Sequence, residues 1–428
     1  MKRGGDSGGV TMEKWPKVKL AECVNLLAGF PFKSQYFTGN SGDVALVKGE
    51  NVSQGCILWD ISKRWPASDW EKMEKFHLIP GDVVIAMDRP WIPAGLKWSF
   101  IRTGDPKALL VQRCARLRSS NGRLDQNFLR FVIGGPEFES YVIPITTGVN
   151  VPHISGQQIL DFQFTLPPLP VQRRIAGILS AYDELMENSR RRIRILEETA
   201  RALYREWFVH FRFPGHQKIK RVDSPLGKIP HGWEVKTVAD SFEVSGGGTP
   251  SRTESSYWDD GTIQWFAPSD ITAVDTMFMD DSPEHITELG LTESSARLFP
   301  AYSVMMTSRA TIGAIAINTH EACTNQGFIT CLPNKRVPLY FLFHWITENV
   351  TQFERLASGA TFKEISRGVF KTIEFLHPSA ALVRLFESKV EPMARQMLAL
   401  QRQIQNLRRT RDLLLPRLLS GQVELKTN

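Results

Sequence analysis

The side chains able to do chemistry in this chain are spread out, and none falls into the spacing of a catalytic centre. Gly227 and Lys228 are followed by Ile229, so no GxxxxGK[ST] phosphate loop is present. There is no NPPF or DPPY tetrad of the adenine-methylating kind, no PD followed by ExK, and no HExxH. His210 and His216 flank the linker and belong to no metal or nucleophile signature. The five cysteines (Cys23, Cys56, Cys114, Cys323, Cys331) are odd in number and form no CxxC pair, so neither a disulfide framework nor a zinc site is expected. What the polar residues do offer is hydrogen-bond donation at turns and strand exits. Arg89 and Arg309 each leave a short apolar strand, and Ser245–Arg252 reads SGGGTPSR, a glycine-rich turn. The chemistry to expect is binding, not bond-making.

The elements that must hold such residues come as a doubled pattern. Each half is an aromatic-rich block closed by a Leu/Pro edge and followed by a heptad helix. LPPLPVQRRI (166–175) opens a stripe of Ile175, Leu179, Tyr182, Met186, Ile193, Leu196, Ala200, Leu203 and Trp207, broken only by Ser189. LHPSAALVRL (376–385) opens Val383, Phe386, Val390, Met393, Met397, Leu400, Ile404, Leu407, Leu414 and Leu418, with Arg411 its one polar member. Two such stripes favour pairing. Arg411 has two readings, a frayed end before Pro416 or a pair across the seam with a group such as Tyr182. Pro392 should kink the second helix.

Landmarks recur in order between the halves. LIPGDVVIAMDR (78–89) matches LFPAYSVMMTSR (298–309), TGVNVPHIS (147–155) matches SGATFKEIS (358–366), and Trp15 matches Trp233. Short strand-like runs separated by Gly, Asn, Asp and Pro turns make each block a mixed α/β domain. The expected fold is α+β, two such domains joined by two long antiparallel coiled-coil helices in a pseudo-two-fold repeat. The expected boundaries are 1–165 with a loose leader over 1–14, helix 166–212, linker 213–230, second block 231–376 and helix 377–428. Met12 is as good a start as Met1.

The net charge of +7 points to nucleic acid until it is divided by region. Residues 1–169 carry +4, 170–212 +3, 213–230 +3, 231–380 −8 and 381–428 +5. The basic charge follows the helices and linker. The arginine run Arg190, Arg191, Arg192 and Arg194 reads as the solvated face of a coiled coil. No run is long and apolar enough for a membrane span or a signal peptide, so the cytoplasm is the expected compartment.

On its motifs the chain resembles specificity subunits of Type I restriction and modification systems. The segment 166–215 is similar to that family's central helix, SGGGTPSR (245–252), YWDDGTIQW (257–265), SRATIGAIAI (308–317) and TNQGF (324–328) to elements of its target recognition domains, and LLPRLLSGQVEL (414–425) to its C-terminal signature. The likeness covers nearly the whole chain after Trp15. It departs in one extra glycine at Gly246–Gly248 and in LHPSA where LPPLP is usual. The resemblance implies a non-catalytic reader of double-stranded DNA, each head taking one part of a split asymmetric site. It implies two methylation subunits that use S-adenosylmethionine, and restriction subunits that translocate DNA with ATP and Mg. This chain itself would bind none of these cofactors.

Base reading needs Arg, Lys, Asn or Gln at base edges, with other polar groups on phosphates. The candidates are Lys33, Ser34, Gln35, Lys48, Asn51, Arg89 and Lys97 in the first block. In the second they are Thr249, Ser251, Arg252, Ser269, Arg309, Thr311 and Lys363. Gly246, Gly247 and Gly248 either let backbone amides approach a phosphate or form a plain turn. Arg89 and Arg309 share either a reading role or a structural ion pair. Asn325 and Gln326 suit a turn, and Trp91, Trp98, Trp258 and Trp265 suit the core better than stacking on bases. From Val171 to Trp207 a helix would span roughly 55 Å, more than the roughly 34 to 36 Å of one duplex turn, so a split site fits.

Overall fold

The computed structural model describes residues 15–146, 152–274, 276–359 and 363–423. The leader, with both candidate starts, and the end of the C-terminal signature lie outside them. The chain divides into two compact units, 1–185 with 406–428, and 186–405. Both divisions fall inside long helices. Leu169–Tyr204 contributes its first part to one unit and the rest to the other, and Ala380–Leu419 does so in the opposite order. This is what antiparallel use of the two helices requires.

In the first unit Val24–Ala28, Cys114–Ser119, Val83–Ala86 and Trp98–Phe100 form an antiparallel sheet in that order. A second sheet orders Arg64–Trp65, Val44–Val47, Ala108–Leu110 and His77–Leu78, with Val44–Val47 parallel to Ala108–Leu110. All of Val83–Ala86 is buried because both its faces are covered. Val83 and Ile85 enter one apolar cluster, while Val84 and Ala86 enter another, as the two-residue period of a strand dictates. Helix Gln126–Ile133 covers the first face; Asp125 caps it by accepting from the Asn127 and Phe128 amides at 2.9 and 3.1 Å. That core closes with Ile175 and Leu179 of the first long helix and Leu415, Leu418 and Leu419 of the last.

The second unit repeats this plan. Glu243–Gly246, Phe328–Leu332, Val304–Thr307 and Ile315–Asn318 stand in the same order as the first unit's antiparallel sheet, with Phe278–Met279 added at the edge. Ile263–Phe266 runs parallel to Ala322–Thr324, like the parallel pair of the first unit. In each unit entry and exit strands pair, Lys17–Lys19 with Gln163–Thr165 and Glu234–Thr237 with Glu374–His377. Ser155 and Ser366 cap equivalent short helices, each accepting an amide at 3.2 Å.

Backbone hydrogen bonds correct the repeat by one residue. Arg89 N donates to Pro152 O and Ile154 N to Met87 O; the matching bonds are Ala310 N to Lys363 O and Ile365 N to Ser308 O. Arg89 therefore corresponds to Ala310, and Asp88 to Arg309. Residues 78–89 match 299–310, not 298–309. The slip was invisible in composition because two apolar strands slide past each other without changing their pattern.

The helix stripes are placed as the heptads require. Ile175, Leu179, Met186, Ala200 and Trp207 are buried on the first helix, and Val383, Phe386, Val390, Met397, Leu400 and Leu418 on the last. Tyr182, Ile193, Leu196, Leu203, Met393, Ile404, Leu407 and Leu414 are half-buried. Trp207 lies in a π-helical turn, Arg205–Val209. Arg411 is not at a frayed end, since the helix continues to Leu419; its guanidinium meets Asp183 at 2.7 Å, the residue after Tyr182. The last helix continues through Pro392. The segment 213–230 is more than a linker: Arg221–Ser224 and Gly227–Pro230 form a hairpin, and Phe213 and Ile229 enter the second unit's core. Among the described residues no helix is long and apolar enough to cross a membrane.

Two residues at the second unit's helix contact test this packing. Phe386 is fully buried, with its ring 5.2 Å from Phe208. Phe386→Ala should cost about 3–5 kcal/mol in chemical denaturation. His344 is buried, and neither ring nitrogen has a hydrogen-bonding partner. Burial, aided by Arg201, pushes its pKa from 6.5 down to about 3. The unfolded chain takes up this proton first, so stability present above pH 6.5 is lost as the pH falls toward 3. His344→Phe should remove that loss, a gain of about 2 kcal/mol at pH 5 relative to pH 8, read from melting at both values.

Candidate nucleic-acid interface

In the first unit the candidates separate into exposed donors and structural ones. Lys33, Ser34 and Gln35 are exposed on the single turn Ser34–Tyr36, which follows the buried Phe32. Among the described residues neither the Lys33 ammonium nor the Gln35 amide has a hydrogen-bonding partner. Asn51, by contrast, is buried: its Oδ1 accepts from Lys48 N at 2.8 Å and its amide donates to Leu46 O at 3.0 Å. It ties a turn and cannot reach a base without opening that turn. Lys97 donates to Gly49 O, and burial lowers its pKa. It too braces the turn at 48–51. Lys48 pairs with Glu50 at 3.0 Å and lies 5.6 Å from the centre of the Phe37 ring.

Arg89 is exposed, in the left-handed region at φ +45°. Its neighbour Asp88 is fully engaged, by Arg113 and by His153 at 2.7 Å. Burial raises the Asp88 pKa, but these bonds outweigh it and hold the carboxyl below its ordinary range. Trp91 is exposed, its indole N–H donating to Glu139 at 2.8 Å, whereas Trp98 is half-buried.

In the second unit the SGGGTPSR turn is a built loop. A Cβ on Gly247 would fall on the carbonyls of Thr324 and Asn325, and one on Gly248 on the backbone of Ser295. The Gly248 amide already donates to Thr324 O at 2.8 Å, so its glycine is required by packing, not by a phosphate. Trp265, buried, donates to Gly248 O at 3.0 Å, and half-buried Trp258 to Ser251 O at 2.9 Å. Arg252 lies 3.8 Å from the centre of the Trp258 ring and grips Glu284 with two nitrogens, which raises its pKa. It fastens the loop to strand Glu284–Ile286. Thr249 donates to Gln326 at 2.8 Å, Ser251 bonds Thr253, and the Asn325 side chain accepts from Gly327 N, organising the turn.

Arg309 is bidentate to Glu364 at 3.0 and 3.1 Å, a structural ion pair. Ser269 bonds Asp270 at 3.3 Å, while Thr311 and Lys363 are exposed. One residue escaped the sequence reading: the guanidinium of Arg367 lies across Gly246, where a Cβ would meet it and displace it. Its signal was the glycine itself, which only the fold connects to a residue 121 positions on.

Comparison with known proteins gives this geometry a family. Residues 12–198 and 230–381 match the model for the Type I restriction modification DNA specificity domain. The chain is 33% identical over 196 residues to the MjaIX specificity subunit of Methanocaldococcus jannaschii, a match covering 43% of this chain and 44% of that one. The chain thus spans under half of that relative's length. A putative MjaX specificity subunit from the same organism is 23% identical over 385 residues, 88% of this chain and 87% of that one. The fold is similar to a crystal structure of a Type I restriction-modification S subunit from M. genitalium, with TM-score 0.60, 15% identity and coverage of 98% and 99% of the two chains. Since the family model matches both blocks, and together well over half the chain, this protein belongs to the family of Type I restriction modification DNA specificity domains.

Proposed function

We propose that this chain is the non-catalytic, sequence-reading subunit of a Type I restriction-modification complex. One observation carries the reading: two heads share a topology and a helix frame but present different surfaces at matched positions. Asp88 with His153 in the first head is replaced by Arg309 with Glu364 in the second, a reversal of charge on an identical backbone bridge. Unequal surfaces on equal scaffolds suit a site whose two halves differ in sequence. The exposed donors Lys33, Ser34, Gln35, Arg89, Thr311 and Lys363 are the first residues to examine for contact with DNA.

The helices would set the unread spacer and receive two methylation subunits. S-adenosylmethionine, ATP and Mg would be bound by the methylation and restriction subunits, and the cytoplasm, where the DNA lies, is the matching compartment. The acidic second block favours one other reading, a coiled-coil scaffold with two protein-binding heads. Reconstituted with methylation subunits and offered random duplexes, the chain should enrich a two-part motif with a fixed gap; absence of any motif favours the scaffold. An in-register insertion of four residues in each long helix should lengthen the gap by about two base pairs, since it adds about 6 Å. An unchanged gap rejects the spacer role.

A further inference from the structure

The heads differ in length at the turn after their matched central strand. In the first head eight residues, 90–97, separate Arg89 from the next strand; in the second only four, 311–314, follow Ala310. The added residues form a hairpin, Trp91–Ile92 with Gly95–Leu96, closed where the Lys97 amide donates to Pro90 O at 2.6 Å.

Arg89 stands at the root of this hairpin. Its φ of +45° is one that a side chain bearing a Cβ rarely adopts. The amide, held by Pro152 O at 2.6 Å, pins the backbone and leaves the exposed guanidinium outside. Among the described residues that guanidinium makes neither a hydrogen bond nor an ion pair. The carboxylate beside it is taken, because Asp88 serves Arg113 and His153. Its electrostatic neighbour is a like charge, Lys97. Ala310 takes the same left-handed turn at φ +62°, so the conformation belongs to the shared scaffold and the guanidinium is not needed to set it; beside another cation, and with no partner among the described residues, that guanidinium is left over from the fold. Its planar fork fits the paired acceptors of a guanine edge. In the second head the equivalent residue is Ala310, and the adjacent Arg309 is spent on Glu364.

We propose that Arg89 is a specificity-determining residue of the first head, reading a guanine in the major groove of one half-site, and that Arg309 has only a structural role. The assignment rests on the DNA-reading function above. The test uses the full chain reconstituted with methylation subunits and selects bound duplexes from a random pool. Arg89→Gly suits the left-handed backbone, so it should melt no lower than the parent. It should keep one half of the motif and the gap, and lose preference at one guanine of the other half by roughly 5- to 150-fold. Arg89→Lys, which keeps the charge but not the fork, should lose the same preference. Arg309→Gln should leave the motif unchanged. A parent motif untouched by Arg89→Gly overturns this assignment alone. So does a uniform weakening over all sequences that Arg89→Lys restores, the mark of a phosphate contact. A motif altered by Arg309→Gln overturns the division of roles, and a parent complex that enriches no motif removes the DNA-reading function and Arg89 with it.

Discussion

Neither block can close its own core, and this dependence on shared helices governs the rest of the structure. The first sheet is completed by Ile175 and Leu179 from one helix and by Leu415 and Leu418 from the other. The second needs Ala200, Tyr204 and Trp207 together with Phe386, Val390 and Met397. Burying side chains of this size is worth roughly 1.5–3 kcal/mol each, so the heads and helices are one energetic system. The same apolar stripe that joins two helices also supplies the missing face of each sheet.

That division of labour leaves the far surfaces of the heads free to differ. Loops gain little from conformity when the core is secured elsewhere. The contrast between residues 90–97 and 311–314, and the exchange of Asp88 for Arg309, occur beside the same backbone bridge with the same pair of hydrogen bonds in each head. Many polar residues that looked available are spent on building these loops. Asn51, Lys97 and Arg252 hold turns in place, and a cation that braces a turn is a poor reader because using it elsewhere would open the structure.

The seam itself is not uniformly apolar. Ser189 lies buried within the first stripe, and Arg411 enters the last one as the partner of Asp183, which also lies 3.5 Å from Arg130. A polar group at one seam position is a known means of fixing register in paired helices. Here Arg411 draws its partner from the helix that it packs against, and the charge is neutralised within a single unit.

The sequence by itself determined the doubled plan, the two heptad helices, the mixed α/β blocks and the lack of a catalytic motif. These follow from periodicity and local turn chemistry, which act over a few residues. Tertiary structure alone decided the one-residue register of the repeat, because an apolar strand slides by one without altering its composition. It also decided that the segment 213–230 folds as a hairpin on the second core, and that Gly247 and Gly248 answer to the backbone of Thr324, Asn325 and Ser295. The separation of Arg89 from Arg309 was beyond the sequence for the same reason. Whether a guanidinium is free or paired depends on a carboxylate 55 residues away, at Glu364, and on a backbone turn whose length differs between the heads.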